Sequence, residues 1–173
     1  MSQSDGERRR AILDAALACF LQFGYAKTSV DDIAKRAGLS RPLLYRKFKN
    51  KEEIFGACYD EVHDLRYPRI DAILAGKGGK RSKLERACEV IILEPWDLLC
   101  RAPAVAEFYD ACVRVIPEIH ERHEKKLFEL TNAVIGDREL TDVFLLAVDG
   151  MFTDLPSVAV LRKRLYVLID RFT

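Results

Sequence analysis

The sequence contains no long apolar run. Nowhere do about 18 apolar residues follow one another, which is the length that a helix needs to cross a bilayer. The first ten residues, MSQSDGERRR, are polar and lack the apolar core of a secretory signal. The sequence therefore predicts no membrane partner and a cytoplasmic location.

Cysteine is present in an odd number and in no CxxC pair. The five cysteines lie among apolar neighbours in helix-like stretches, at Cys19, Cys58, Cys88, Cys100 and Cys112. This arrangement does not match the common zinc-binding and redox motifs, and it indicates small buried thiols in a reducing compartment. A redox-sensing pair among them remains an open alternative.

Signatures of catalysis are also missing. The sequence has no Gly-rich phosphate loop and no nucleophile elbow, and only His120, His123 and Glu124 have a spacing that could suggest a metal site. Helical surfaces often produce that spacing by chance. The sequence thus predicts a protein that is not an enzyme and that carries no cofactor and no metal.

Charge is distributed unevenly along the chain. The formal net charge is only +1, but residues 1–51 contain 11 Lys and Arg against 5 Asp and Glu, and the remainder contains 17 against 22. A basic N-terminal third on an acidic remainder is typical of a protein whose head binds a polyanion.

The periodicity of the apolar residues predicts an all-α protein of about nine helices. Apolar residues recur at intervals of three and four, and no stretch alternates as a strand does. A cap at Ser4 and a terminator at Gly24 bound the predicted first helix, and Pro68 should end or kink a long fourth helix. Ser82 is predicted to cap the fifth helix, after a glycine-rich linker, and further helices are expected near 103–116, 117–135, 139–155 and 157–172.

Two short helices joined by a glycine-containing turn lie between about Thr28 and Phe48, which is the minimum for a helix-turn-helix. Leu44 and Phe48 are four residues apart, so both should face the first of the two helices and the core. The opposite face then carries Arg41, Leu43, Tyr45, Arg46 and Lys47. Such a basic face suits the major groove of DNA, although a solvated helical hairpin would show the same periodicity.

The order of the residues is more specific than their periodicity. The stretch TSVDDIAKRAGLSRPLLYRKFKNKEEIF closely resembles the DNA-binding head of the TetR family of repressors, and the preceding ILDAALACFLQFGY resembles that family's first helix. The resemblance covers roughly residues 8–56 without a gap. It implies a three-helix DNA-binding head with a helix-turn-helix, joined by a long helix to a larger helical domain for ligand binding and dimerisation.

The resemblance also implies roles for single residues. Tyr45, Lys47 and Lys51 match phosphate contacts, Ser29 matches a backbone contact, and the base-facing positions open the third helix. Leu43 stands where the family often has a small polar residue, so no sequence preference is carried over. Together with the outward basic face, the predicted DNA-binding residues are Ser29, Ser40, Arg41, Pro42, Leu43, Tyr45, Arg46, Lys47 and Lys51.

We expect the DNA-binding domain at residues 1–50 and the effector-binding and dimerisation domain at 51–173. In the family the second region holds a ligand pocket. Candidates for its lining are aromatic, histidine and cysteine side chains, each of which could equally belong to the core: Tyr59, His63, Tyr67, Trp96, Phe108, Tyr109, Cys112 and His123. His123 interrupts an apolar stripe and could anchor a polar group of the ligand.

The last two predicted helices are apolar on two sides, so each needs two partners. One partner is the core of the domain. The other is predicted to be a second protomer, which would give a four-helix interface about a two-fold axis. A helix buried inside a monomer is the alternative. The predicted interface residues follow steps of three and four: Phe144, Ala147, Met151, Leu155, Val158, Leu161, Leu165, Leu168 and Phe172.

These features predict a bacterial transcription regulator, most simply a repressor, that binds double-stranded palindromic operator DNA as a homodimer and is released by an unknown small apolar or aromatic effector. Two alternatives stay open. One is a DNA-binding architectural or cell-division factor of the same fold without an effector, and the other is a regulator whose C-terminal part senses a protein partner or thiol oxidation.

Overall fold

The computed structural model describes residues 5–173, so the predicted cap at Ser4 lies outside the described residues. All regular structure in this range is helical, as the sequence predicts. The N-terminal helices are α1 (Asp5–Lys27), α2 (Val30–Arg36), α3 (Arg41–Tyr45), α4 (Lys51–Asp64) and α5 (Tyr67–Ala75). The later ones are α6 (Lys80–Cys88), a π-helical segment (Glu89–Leu93), α7 (Glu94–Leu99), α8 (Val105–Val115), α9 (Pro117–Ile135), α10 (Arg138–Gly150) and α11 (Val158–Phe172).

Glycine and proline end most of the helices where the sequence predicts it. Gly24 breaks the regular geometry of α1 with φ 81° and ψ 163°, a conformation that L side chains rarely adopt. Pro68 lies in the first turn of α5, so α4 stops at Asp64. Pro117 begins α9, and Gly136, with a positive φ of 78°, follows its last residue.

Two predicted boundaries are wrong. The helix α6 begins at Lys80 after Gly79, so Ser82 is already inside the helix and does not cap it. The helix α10 ends at Gly150 and not near residue 155, because the following turns lead to Leu155, which has a positive φ of 48°, and to Pro156. Proline lacks the N–H that would continue the helix.

The chain folds into two compact units. The N-terminal unit comprises Met1–Glu61 and Ala102–His120, and the C-terminal unit comprises Val62–Arg101 and Glu121–Thr173. The helix α8 therefore belongs with helices that precede it by about 40 residues or more in the sequence. The expected domain boundary between residues 50 and 51 stays a prediction.

Aromatic rings form the centre of the N-terminal unit. Phe55 of α4 packs edge-on against Phe20 of α1 with a centroid distance of 4.9 Å, against Tyr25 at 5.0 Å and against Phe108 of α8 at 5.3 Å. Phe20, Phe55 and Phe108 are buried. Edge-to-face packing of this kind adds to the hydrophobic gain from burial, and it ties α8 to α1 and α4.

The core of the C-terminal unit is apolar, with Trp96 at its largest buried position. The indole Nε1 of Trp96 donates a hydrogen bond of 2.7 Å to the carbonyl of Pro156. This bond satisfies the polar end of a side chain that otherwise contributes apolar area. Other buried apolar side chains of this core are Ile70, Leu84, Leu93, Phe144, Leu161, Leu165 and Ile169.

Four of the five cysteines are buried, and all five are free thiols. Burial raises the pKa of Cys58, Cys88 and Cys112 to about 12 in each case. The thiolate is the reactive form, so these three side chains resist oxidation at neutral pH. This observation speaks against the redox alternative for them. No helix within residues 5–173 is long and apolar enough to cross a membrane.

Candidate nucleic-acid interface

The start of α2 is held by a reciprocal cap. The hydroxyl of Ser29 accepts a hydrogen bond of 3.1 Å from the N–H of Asp32, and the carboxylate of Asp32 accepts one of 3.0 Å from the N–H of Ser29. The side-chain hydrogen bond with Ser29 lowers the pKa of Asp32 from its ordinary value. Because two of the free N–H groups at the helix end are satisfied locally, α2 begins sharply at this residue.

The turn between α2 and α3 has the geometry that its glycine allows. Gly38 adopts φ 67°, and the N–H of Leu39 donates a 2.9 Å hydrogen bond to the carbonyl of Ala34. Ile33 and Ala34 of α2 are buried, as are Leu44 and Phe48 after the turn. The inward face is therefore the one that the sequence predicts.

The opposite face of α3 is exposed and basic. Arg41, Pro42, Tyr45 and Arg46 are exposed, whereas Leu43 and Lys47 are half-buried. Ser40 is the N-cap residue of the helix and is exposed, and its hydroxyl makes no capping hydrogen bond. The structure thus brings seven of the predicted DNA-binding residues onto one short segment, residues 40–47.

Arg41 is held by an acidic residue that the sequence pattern does not reveal. Its Nε lies 3.1 Å from Oδ1 of Asp31, and its Nη1 lies 3.1 Å from Oδ2 of the same carboxylate. The guanidinium also lies over the ring of Tyr45, 5.4 Å from its centroid. This two-point ion pair with Asp31 orients the guanidinium of Arg41 on the exposed face of α3.

Lys51 occupies a different environment from the one that we predicted for a phosphate contact. Its Nζ donates hydrogen bonds to the carbonyls of Tyr25 at 2.8 Å and of Thr28 at 3.0 Å, and it lies over the ring of Tyr25 at 4.2 Å. The carbonyls near the end of α1 attract a cation because they carry partial negative charge. Its first role is structural, and a contact with phosphate through its third N–H stays a prediction.

Lys47 also has a partner inside the protein. Its Nζ contacts the carboxylate of Asp5, at the other end of the described part of the N-terminal unit. Exposed cations that the sequence reasoning did not include surround the same segment, namely Lys35, Arg36 and Lys49. Helical spacing alone could have marked Lys35 and Arg36, since both lie on the exposed side of α2.

The predicted ligand-binding residues are divided between the two units. Tyr59, Phe108, Tyr109 and Cys112 belong to the N-terminal unit, and His63, Tyr67, Trp96 and His123 belong to the C-terminal unit. In the first group the hydroxyl of Tyr59 lies 2.9 Å from Nδ1 of His120, Phe108 and Cys112 are buried, and Tyr109 is exposed.

In the C-terminal unit three of these side chains form a stack. The imidazole of His63 lies over that of His123 with a centroid distance of 4.5 Å, and the hydroxyl of Tyr67 lies 2.5 Å from Nδ1 of His123. His123 is buried, as the sequence predicts. Trp96 is buried in the same unit, where its ring packs edge-on against that of Phe152 at a centroid distance of 4.9 Å.

A small apolar cavity of about 20 Å³ lies within the C-terminal unit. Its walls include Ile70, Ala87, Cys88, Leu130 and Phe144. None of the eight predicted ligand-binding residues lines it. The eight predicted ligand-binding residues therefore stay a prediction that is separate from this cavity.

Three central residues of the predicted dimer interface are buried within their own chain. Phe144, Leu161 and Leu165 are 1%, 0% and 0% exposed because they pack into the core of their own unit. Ala147, Met151, Val158, Leu168 and Phe172 are half-buried, and Leu155 is exposed. Other apolar residues of α10 and α11 are exposed: Leu140, Val143, Leu146, Val160 and Val167.

The N-terminal segment matches a known family. Residues 12–58 match the model for bacterial regulatory proteins of the tetR family. An uncharacterized HTH-type transcriptional regulator, YhgD of Bacillus subtilis (strain 168), is 47% identical over 53 residues, which are 31% of this chain and 28% of YhgD. The HTH-type transcriptional activator FasR of Mycolicibacterium smegmatis (strain ATCC 700084 / mc(2)155) is 35% identical over 83 residues, 48% of this chain and 38% of FasR. The matches thus span about a third of the length of these relatives.

Solved structures resemble the chain over nearly its whole length. A TetR transcription regulator from Haloarcula marismortui ATCC 43049 has a TM-score of 0.76 at 16% identity, covering 96% of this chain and 98% of that one. A transcriptional regulator from Rhodococcus sp. Rha1 has a TM-score of 0.74 at 23% identity, covering 95% of both chains. At these identities the likeness establishes the fold. Residues 12–58 thus match the tetR-family model, and the chain as a whole shares the fold of solved TetR regulators.

Proposed function

We propose that this protein is a transcription regulator, most simply a repressor, that binds palindromic operator DNA as a homodimer and releases it when a small, largely apolar effector binds. The observation that carries the proposal is the exposed face of α3. It presents Arg41, Tyr45 and Arg46 outward, while Leu44 anchors the helix in the core. A short helix fixed from behind and basic in front fits the major groove.

Specific binding requires Arg41 to change its partner. In the free protein its guanidinium is paired with the carboxylate of Asp31. The N7 and O6 atoms of guanine form a pair of acceptors like the two oxygens of a carboxylate. The guanidinium of Arg41 can therefore exchange Asp31 for a guanine with little change of geometry. Because both groups of the pair are more than half exposed, the exchange involves little change in solvation.

Dimerisation is supported by the outer side of α10 and α11. Leu146 is 66% exposed, Val167 is 56% exposed and Val143 is 53% exposed. Leu140 and Val160 are further exposed apolar residues of the same two helices. A run of exposed apolar side chains on neighbouring helices marks an interaction surface. A second copy would cover it in a four-helix arrangement, and a two-fold axis would place two copies of α3 in successive major grooves.

An effector site is supported by the apolar cavity of the C-terminal unit. A volume of about 20 Å³ holds little more than one water molecule, so an effector would have to push its walls apart. Such a widening would favour a second arrangement of the surrounding helices, which is the condition for coupling to DNA binding. The apolar walls favour an apolar effector over a charged one.

The small size of this cavity also favours one alternative, a DNA-binding architectural or cell-division factor without an effector. A thermal-shift screen of apolar and aromatic metabolites separates the two. Under our proposal, at least one compound raises the Tm and weakens DNA binding together. The variant Ala87→Leu, which fills the cavity, loses both responses and keeps DNA binding, whereas the exposed variant Ala133→Leu retains them. No stabilising compound, together with constitutive binding, would establish the alternative.

The DNA interface is tested by selecting duplexes from a random pool and measuring the affinity for the selected and for random duplexes. The variant Arg41→Ala should reduce the ratio of these two affinities about tenfold, because a two-point contact with a base is lost. Affinity for random duplexes should fall much less, since phosphate contacts dominate it. Arg86→Ala removes an exposed arginine of α6 and should change neither affinity. An unchanged ratio in Arg41→Ala would place the specific contact elsewhere.

The dimer is tested by sedimentation equilibrium. Wild type should have twice the 19.8 kDa mass of one chain. Leu146→Glu should give single chains with an unchanged circular dichroism spectrum, because a carboxylate in the apolar interface would be desolvated without a partner. Leu98→Glu places the same charge on α7, at a residue that is 65% exposed, and should leave the dimer intact. If Leu146→Glu remains a dimer, the outer side of α10 and α11 is not the interface.

A further inference from the structure

The break in α1 exposes backbone groups that regular helix would satisfy. At Gly24 the φ of 81° and ψ of 163° interrupt the helix, which resumes for one more turn up to Lys27. The N–H groups of Tyr25 and Ala26 therefore begin a new turn without helical carbonyls to bond. Ser29, which caps α2, follows only three residues later.

The carboxylate of Glu107 accepts hydrogen bonds from these two N–H groups. Its Oε2 accepts a hydrogen bond of 2.5 Å from the N–H of Tyr25, and its Oε1 accepts one of 3.2 Å from the N–H of Ala26. Glu107 lies on α8, more than 80 residues further along the chain, and in the same compact unit. The contact is thus a tertiary one, made by both oxygens of one charged group.

The carboxylate approaches so closely that it requires glycine beneath it. A Cβ at residue 24 would lie 2.5 Å from Oε2 of Glu107, well inside van der Waals contact. Gly24 therefore meets two independent conditions, the positive φ and the close approach of the carboxylate. A side chain at this position would displace Glu107 as well as strain the backbone.

The same short segment is held on its other side. The hydroxyl of Thr28 donates a 2.7 Å hydrogen bond to the carbonyl of Gly24, and the ammonium of Lys51 binds the carbonyls of Tyr25 and Thr28. The N–H groups are thus bound by an anion and the carbonyls by a cation. Residues 24–28 have little freedom left, and they lead directly into α2.

A second bond fixes α8 at this place. The N–H of Ala104, just before α8, donates a 3.1 Å hydrogen bond to the carbonyl of Leu21 in α1. Phe108 of α8 packs against Phe55 in the same region. Glu107 is therefore presented to the break in α1 by a helix that is itself anchored on both sides of that residue.

We propose that Glu107 is a positioning residue for DNA binding, which acts from α8 by fixing the break in α1 and thereby the orientation of the helix-turn-helix. The inference rests on the proposed function. It assigns to α8, which the sequence reasoning placed in the effector domain, a direct mechanical connection to the recognition helix. The connection runs from Glu107 through residues 25–28 to the cap at Ser29, and from there through α2 to α3.

Glu107→Gln is the sharpest variant. It keeps the size of the side chain, removes the charge and replaces one acceptor by an NH₂ group that would face a backbone N–H. Glu118→Gln is the matched control, since Glu118 is an exposed glutamate of α9 in the same unit. Both variants change the net charge of the chain by the same amount.

Two measurements are made on the full chain. Hydrogen exchange should become at least tenfold faster at Tyr25 and Ala26 in Glu107→Gln, and faster also through α2 and α3, with the C-terminal unit unchanged. With duplexes selected by wild type, the ratio of specific to random affinity should fall about tenfold while the random affinity stays within about twofold, because phosphate contacts tolerate misorientation better than base contacts. Glu118→Gln should behave as wild type.

An unchanged affinity ratio in Glu107→Gln would overturn the proposal, as would a proportional loss of specific and random binding, which would indicate general unfolding. If wild type selects no duplex, the proposed function fails. The hydrogen-exchange data then decide alone whether Glu107 fixes the orientation of the helix-turn-helix. Faster exchange that spreads from residues 25–28 into α3 would support the role in orientation, whereas exchange confined to Tyr25 and Ala26 would contradict it.

Discussion

The N-terminal unit depends on one arrangement of opposite charges around the backbone that follows Gly24. The carboxylate of Glu107 binds two N–H groups there, and the ammonium of Lys51 binds two carbonyls. Each charge comes from a different helix, so α1, α4 and α8 meet at one short segment. Because hydrogen bonds to charged groups are stronger than those between neutral ones, this segment is fixed although it is not regular helix.

The recognition helix benefits from this arrangement because α3 is too short to stabilise itself. It spans Arg41–Tyr45, and an isolated helix of that length would not form in water. Its orientation comes from the buried side chain of Leu44, from the turn at Gly38 and from α2 behind it. The exposed face can therefore carry Arg41, Tyr45 and Arg46, which the core does not need.

Local patterns predicted most of the N-terminal fold. The turn at Gly38 and the inward pair Leu44 and Phe48 each depend on residues within about five positions of one another, and both are found as expected. The resemblance to the TetR family rested on the same local stretch. Sequence reasoning is strongest where chemistry and conformation are decided by near neighbours.

The contacts that the sequence did not predict join residues that are distant along the chain. Lys51 reads as an outward cation at a helix start, but the carbonyls that bind it belong to Tyr25 and Thr28. The sequence around Glu107 does not indicate that its carboxylate binds the backbone after Gly24, and the sequence around Asp31 does not indicate its pair with Arg41. The last two helices are apolar on both sides, so periodicity could not tell that Leu161 and Leu165 face the unit's own core. The small cavity of the C-terminal unit likewise depends on packing and not on pattern.

If the geometry at Gly24 makes specific DNA binding possible, the affinity of Gly24→Ala for a selected duplex should fall. Gly79→Ala is the control, because a Cβ there meets no neighbouring atom within 4 Å and its φ is negative. At a temperature where circular dichroism shows both variants folded, Gly24→Ala should bind the duplex at least about tenfold more weakly than wild type, since it strains the backbone and displaces Glu107. Gly79→Ala should bind as wild type does. Equal affinity of Gly24→Ala and wild type would show that specific binding does not depend on this geometry.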